Sequence, residues 1–280
     1  MLEGISGTVA LVTGAARPRS IGRATARRLA REGAHVAVLD IARPYSDFPD
    51  HGVANADDLA ATVAELEALG VRSVGVRADV TDWDEVHAAV AEAAAALGPI
   101  DTVVNVAGGD GAGLAGGPIL GMSAEAFRKV VDVNLTGTFI VTRAVVERMV
   151  ADGRGGCVVN TSSQAGKVGW PMLAAYGPAK AGVINLTQVM AQEWATLGIR
   201  ANAVCPGTVD TDLLNKDGGF VEIMGALDPG GWEAWLSREI PLGRLQQPEE
   251  VADAIAFLCS HDARYITGEA LNVSGGQMMA

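Results

Sequence analysis

Three residues in the middle of the chain have the types and spacing of a proton-transfer site. Ser163 stands thirteen residues before Tyr176, and Lys180 follows the tyrosine by four. The stretch AAYGPAKAGVINLTQVMAQEW carries apolar residues at helical spacing, which predicts one helix bearing Tyr176 and Lys180 on a shared face. An ammonium held beside a phenol favours the phenolate and lowers the tyrosine pKa toward working pH. Ser163, at the end of the apolar run CVVNTSS, is placed to hydrogen-bond the same substrate oxygen. Such a trio would move a proton to or from a carbonyl or an alcohol. A Tyr-x-x-x-Lys pair also arises by chance on partly exposed helices, so its weight rests on the elements around it.

Those elements begin with TVALVTG, residues 8–14, a short β-branched run that predicts a buried parallel strand closed by Gly14. After the loop AARPRS, a helix is expected from Ser20, with Ile21, Ala24, Leu29 and Ala30 inward and Gly33 as its stop. Strand, glycine turn and helix N-terminus make a cradle for a pyrophosphate, because unpaired N–H groups and the positive helix end face the anion. Gly14, Arg17, Ser20, Ile21 and Gly22 would line it.

The second strand, AHVAVLD, ends in Asp40, 26 positions after Gly14. An acid there is placed to accept hydrogen bonds from an adenosine ribose and would repel a 2′-phosphate, favouring NAD(H). Arg17, Arg19 and Arg43 lie close by in sequence and leave NADP(H) open. Residues 41–56 read as a long polar loop. A helix and a third strand follow, and Asp79 and Val80 close that strand where an adenine would lie. Thr81 or Asp82 is expected to cap the next helix, which Gly98 stops. The lone His87 on that helix reads as a surface residue.

A fourth strand over 100–109 ends in Asn105-Val106-Ala107-Gly108, small residues and an amide where a nucleotide would cross the strand ends. The glycine-rich 109–121 stretch would line the site mouth. A long helix capped by Ser123 has Asn134 near its middle; asparagine is a poor helix-interior residue, so a local break, a bound water or an ordinary buried amide is expected there. A sixth strand ends in Pro206-Gly207. Residues 208–247 carry Phe220, Met224, Trp232 and Trp235 among glycines and acids, and read as a substrate lid or a packed excursion. A helix opened by Pro248 and a seventh strand in EALNVSGG complete the chain.

Alternating strands and helices predict one α/β domain over residues 1–280, a Rossmann-type doubly wound parallel sheet of about seven strands with helices on both faces. Gly14, Asp40, Asp79, Asn105, Ser163 and Pro206 then all fall at carboxyl strand ends, where such sheets bind ligands. Composition agrees: 49% of residues are apolar and 19% charged, as in globular proteins, and 35 glycines suit many strand-to-helix turns. A net charge of −12 argues against a nucleic-acid partner. The N-terminus lacks a signal-peptide pattern and no apolar run reaches the ~20 residues of a membrane span, so a cytoplasmic protein with no membrane partner is expected. The three cysteines, Cys157, Cys205 and Cys259, show no metal spacing and read as buried thiols.

With these motifs in place, the chain resembles the short-chain dehydrogenase/reductase family over essentially its full length. The family's T-G-x-x-x-G-x-G matches at Thr13-Gly14 and Ile21-Gly22, its N-N-A-G at Asn105 to Gly108, and its mid-chain asparagine at Asn134. Its serine and Y-x-x-x-K match Ser163, Tyr176 and Lys180, and its P-G-x-x-x-T matches Pro206, Gly207 and Thr211. Two departures stand out. The glycine loop is two residues longer than the family's, with Ser20 in place of the middle glycine, and Val106 replaces the second asparagine. The long loop after Asp40 is similar to that of carveol dehydrogenase-like members.

The resemblance implies an oxidoreductase that passes hydride between a nicotinamide cofactor and a secondary alcohol or ketone. In it Tyr176 would exchange the proton, Lys180 would hold the nicotinamide ribose, Ser163 would orient the substrate oxygen, and Asn134 would hold a relay water. Val209 and Thr211 would meet the nicotinamide carboxamide. A homotetramer is the family's common assembly. An NADPH-dependent 3-oxoacyl (carrier protein)-type ketoreductase and a non-catalytic dinucleotide-binding regulator are the alternatives.

Overall fold

The computed structural model describes residues 1–44, 53–109, 118–215 and 220–279. Seven parallel strands form one sheet: β1 (Val9–Thr13), β2 (His35–Asp40), β3 (Ser73–Arg77), β4 (Thr102–Asn105), β5 (Gly156–Thr161), β6 (Ile199–Pro206) and β7 (Ala270–Val273). Their order is β3-β2-β1-β4-β5-β6-β7, so the direction of winding reverses between β1 and β4. That is the expected doubly wound fold, and the reversal opens a crevice at the carboxyl ends of the strands.

The strands are apolar because both faces of the sheet are covered. On one face, α1 (Ile21–Arg31), α2 (Ala56–Glu67) and α10 (Pro248–Cys259) bury Leu29, Leu59, Leu66, Val251 and Ile255 against Val12, Val36 and Val204. On the other, α3 (Trp83–Leu97), α5 (Gly137–Ala151) and α6 (Tyr176–Trp194) bury Val90, Val145 and Met190 against Leu11, Leu39 and Val158. Asp82 rather than Thr81 caps α3, its carboxylate accepting from Glu85 N, and Gly98 follows as the stop. His87 stacks on Trp83 at the surface. The three thiols are free and buried.

The long helix expected after Ser123 is not continuous. It divides into α4 (Ala124–Val131) and α5, joined by a π-helical turn over Asp132–Thr136 that contains Asn134. The asparagine breaks the regular ladder because its amide bonds main chain instead: Nδ2 donates to Val130 O at 2.8 Å and to Gly109 O at 2.9 Å. The 208–247 stretch holds three short helices, α7 (Asp212–Asn215), α8 (Phe220–Leu227) and α9 (Gly231–Glu239). Trp235 packs with Leu236 and Ile240 in a small core of its own, its ring stacked on Trp232 at 5.1 Å. The segment 110–117 and the side chains of Phe220 and Met224 lie outside the described residues.

A polar ladder runs through the sheet's centre. Asn105 and Asn160 are register partners on β4 and β5. Asn105 Nδ2 donates to Asn160 Oδ1 at 2.8 Å and to Thr142 Oγ1 at 2.7 Å, and Asn160 Nδ2 donates to Thr187 Oγ1 at 2.9 Å. Buried amides stripped of a partner keep their desolvation cost. Asn160→Ala is therefore expected to lower stability by about 2–4 kcal/mol in urea unfolding, the sum of lost hydrogen bonds and a small cavity. A loss near zero would show that the ladder does not hold the strand ends together.

Candidate active site

The tyrosine and the lysine sit where β5 hands over to α6. Tyr176 is the first residue of α6, half-buried against Met122, Val130 and Ala175. Lys180, one turn later, is only 3% exposed. Its Nζ donates to Thr161 O, the last carbonyl of β5, at 2.8 Å and lies 5.5 Å from the Tyr176 ring centre. Burial pushes its pKa down to about 8.

Neighbouring segments fix that lysine from three sides. Ser162 Oγ donates to Lys180 O at 2.7 Å, tying α6 to the end of β5. Gly166 packs so closely that an added Cβ would stand 2.7 Å from the Lys180 carbonyl carbon. Gly108, at φ +155°, lies between Lys180 and Asn134: a Cβ there would stand 3.3 Å from Lys180 Nζ and 2.5 Å from Asn134 Oδ1. Asn134 Oδ1 in turn accepts from Gly109 N at 3.1 Å. Ser163 opens the one-turn 3₁₀ helix Gln164–Gly166, its Oγ accepting from Ala165 N at 3.1 Å. The four residues singled out for chemistry thus lie on segments that meet at the ends of β4 and β5.

The glycine loop lies at the reversal point. Gly22 is buried against Gly14, whose carbonyl oxygen would collide with a Cβ on residue 22. Ser20 is the N-cap of α1: its Oγ accepts from Arg23 N at 3.1 Å and donates to Arg17 O at 2.8 Å. Its backbone is extended, at φ −131°, so the position needs no glycine. The substitution exchanges backbone freedom for a helix cap. Thr13 Oγ1 accepts from Val106 N and Ala107 N, both at 3.0 Å, and so aligns the ends of β1 and β4.

At the outer end of the crevice, Asp40 is buried, with Oδ2 accepting from Ala16 N at 3.0 Å and Oδ1 from Ala42 N at 3.3 Å. Burial raises its pKa; the Ala16 and Ala42 amides and the charge of Arg17 oppose the rise. Asp79 accepts from Thr81 N and Oγ1, and its own amide donates to Glu85 at 2.9 Å. Val80 is buried against Gly137. Arg43 pairs with Glu85 at 2.7 Å, and Arg19 with Asp210 at 2.7 Å.

At the other end, Gly207 N donates to Val273 O at 3.1 Å, Val209 bridges to Gln246, and Thr211 follows with its amide donating to Val209 O at 2.9 Å. Asn105 differs from its companions: its side chain turns into the sheet toward Thr142 and Asn160, so only its main chain borders the crevice. Ser162 and Glu85 are supporting residues without a local sequence signature, bonded to partners 18 and 6 positions away, and Thr13, the threonine of the glycine motif, bonds partners 93 and 94 positions away.

The doubly wound parallel sheet with its crevice at the reversal point defines the class, an α/β protein of the nucleotide-binding kind. The comparisons with known proteins agree. A family model described as "Enoyl-(Acyl carrier protein) reductase" matches residues 14–278. The chain is 40% identical over 278 residues to a cis-4-hydroxycyclohexanecarboxylate dehydrogenase of Sinomonas cyclohexanicum, covering 99% of this chain and 98% of that one. It is 39% identical over 266 residues to an L-rhamnose 1-dehydrogenase (NAD(P)(+)) of Azotobacter vinelandii, covering 95% and 94%. The crystal structure of carveol dehydrogenase from Mycobacterium avium in complex with NAD superposes with a TM-score of 0.88 at 31% identity, covering 99% of both chains. The chain belongs to the short-chain dehydrogenase/reductase family and is an NAD(P)-dependent alcohol dehydrogenase of it.

The buried lysine has a consequence for stability. Its folded pKa of about 8 lies below the 10.5 of the unfolded chain, so the unfolded state binds more protons between those values. In the cofactor-free protein, the cost of the buried charge is full below pH 8 and is relieved as pH rises. Lys180→Met removes that cost at every pH. The stability of this variant relative to wild type should therefore fall by about 1.4 kcal/mol per pH unit between roughly pH 8 and 10. Urea unfolding at pH 7 and pH 9.5 checks this, and an identical difference at both would refute it.

Proposed function

We propose that the protein oxidises a medium-sized, largely apolar secondary alcohol with NAD, Tyr176 acting as the general base. The observation that carries this is the burial of Lys180 beside Tyr176 at the end of β5. A cation held in a poorly solvated place next to a phenol stabilises the phenolate far more than it would in water. When bound, the nicotinamide supplies the hydride acceptor. The residues of this chain do the rest: Tyr176 takes the hydroxyl proton, Ser163 Oγ orients the substrate oxygen, and Lys180 holds the ribose of the cofactor. Asn134, within reach of the lysine across Gly108, supports a water that returns the proton to solvent.

Gly14 and Gly22 fit a pyrophosphate cradle, since their close packing at the N-terminus of α1 leaves no room for a Cβ on either, and Ser20 Oγ there takes up the Arg23 amide. Asp40 supports NAD over NADP: it is fixed by two backbone amides at the ribose end, and a 2′-phosphate there would face a carboxylate. Two of the arginines that leave NADP open are engaged elsewhere, Arg43 with Glu85 and Arg19 with Asp210. Val209 and Thr211 would receive the carboxamide, and residues 208–247 would cover the substrate. The substrate class is supported by the 40%-identical relative named for a hydroxyl on a cyclohexane ring. A cytoplasmic homotetramer is part of the same reading.

Tyr176→Phe should bind NAD as wild type does while losing turnover by about 10²–10⁴-fold on a panel of cyclic secondary alcohols. Turnover within a factor of a few of wild type would sink the assignment. Asp40→Ser should shift the ratio of the Kd values for NADPH and NADH toward NADPH by at least about tenfold, equivalent to about 1.4 kcal/mol. An unchanged ratio in fluorescence titration would mean that the carboxylate is not the selector.

A further inference from the structure

The two extra residues of the glycine loop carry Arg19 across the crevice. β1 and β6 are separated by β4 and β5, so their ends stand about 14 Å apart, three strand spacings. Yet Arg19, which follows β1, meets the turn that follows β6. Arg19 N donates to Asp212 Oδ2 at 3.1 Å, and Asp212 N donates back to Arg19 O at 3.1 Å. The guanidinium reaches the other side of the same turn, with Nη2 at 2.7 Å from Asp210 Oδ2 and 3.5 Å from Asp210 O. Asp210 and Asp212 flank Thr211.

We propose that Arg19 is a positioning residue for the nicotinamide end of the cofactor, setting the place of Thr211 by gripping both of its neighbours. This rests on the reading that Thr211 receives the carboxamide. On its other side the turn is held where Val209 pairs with Gln246 and Asp210 N donates to Gln246 O at 2.8 Å. Arg19 supplies the second anchor. The Thr211 amide is committed to Val209 O, so Thr211 would act through its hydroxyl, which accepts from Leu214 N at 3.3 Å and keeps its own hydrogen to donate, and the position of that hydroxyl depends on how the turn is held.

An exposed ion pair alone stabilises little, because ordering two long side chains offsets the attraction. Here the reciprocal main-chain bonds have already brought the partners together, and the planar guanidinium needs to lose less freedom to close the grip. It also neutralises carboxylates that would otherwise face an anionic cofactor. Charge and positioning make different predictions, because charge acts on every adenine nucleotide whereas positioning acts only on the nicotinamide.

The test is fluorescence titration with NAD⁺ and with ADP-ribose, which lacks the nicotinamide. The quantity read is the ratio of their Kd values in wild type, Arg19→Ala, Arg19→Lys and Thr211→Val. Positioning predicts that Arg19→Ala weakens NAD⁺ about threefold to tenfold and ADP-ribose less than twofold, with an unchanged melting temperature. Arg19→Lys, a charge without the fork, should recover only part of the loss. Equal weakening of both ligands, or of neither, by Arg19→Ala overturns the proposal. If Thr211→Val raises the ratio of the NAD⁺ Kd to the ADP-ribose Kd and Arg19→Ala does not, only the role of Arg19 fails. If Thr211→Val leaves the ratio unchanged, the carboxamide reading fails and the proposal with it.

Discussion

The site depends on keeping one ammonium group out of water. Lys180 is buried, its ammonium donating to the Thr161 carbonyl, and burial lowers its pKa. A solvated lysine would screen its own charge and do little for a phenol nearby. A buried one would act more strongly on a phenol beside it but must be restrained, since a flexible chain of four methylenes would otherwise swing to the surface. The surrounding packing supplies that restraint. Ser162 and Gly166 fix its main chain against β5, and Gly108 lets the β4 segment close over its tip. Helix α6 thus holds Lys180 in a costly position one turn after Tyr176.

The parallel sheet makes this arrangement possible by delivering several strand ends to one place. Each end contributes its own residues. β1 brings the glycine loop and Thr13, β2 brings Asp40, β4 brings Gly108, β5 leads to Ser163 and α6, and β6 leads to Val209 and Thr211. Buried amides lock the central pair of strands in register through Asn105 and Asn160. The ladder is polar in the middle of an apolar sheet: the Asn105–Asn160 bond is specific to one alignment of β4 on β5, and the Thr142 and Thr187 bonds tie those strands to α5 and α6. A one-residue slip would leave several donors unpaired at once.

Local patterns in the chain were enough for most of this. Short β-branched runs ended by glycine, helices with cap and stop residues, and the order in which they alternate identify the doubly wound fold. Tyr176 and Lys180 are legible because a helix places residues four apart on one face. What escapes is whatever depends on a distant partner. Asn134 is visibly odd in its helix, but the π turn goes with bonds to Gly109, 25 positions away. Asn105 occupies a motif position that points to the nucleotide, whereas its side chain faces a threonine and an asparagine 37 and 55 positions away. Ser20 looks like a loss of glycine and is a helix cap. Arg19 and Arg43 look like phosphate ligands until their carboxylate partners are known, 191 and 42 positions along the chain.

The cysteines have a practical consequence. All three are free and buried, Cys157 on β5, Cys205 on β6 and Cys259 at the end of α10. Two are therefore on central strands, where exposure requires the sheet itself to part. A thiol reagent applied to the native protein would act as a clock for rare opening of the core. The spread of the three reaction rates would reveal whether the layer carrying α10 peels away before the strands separate.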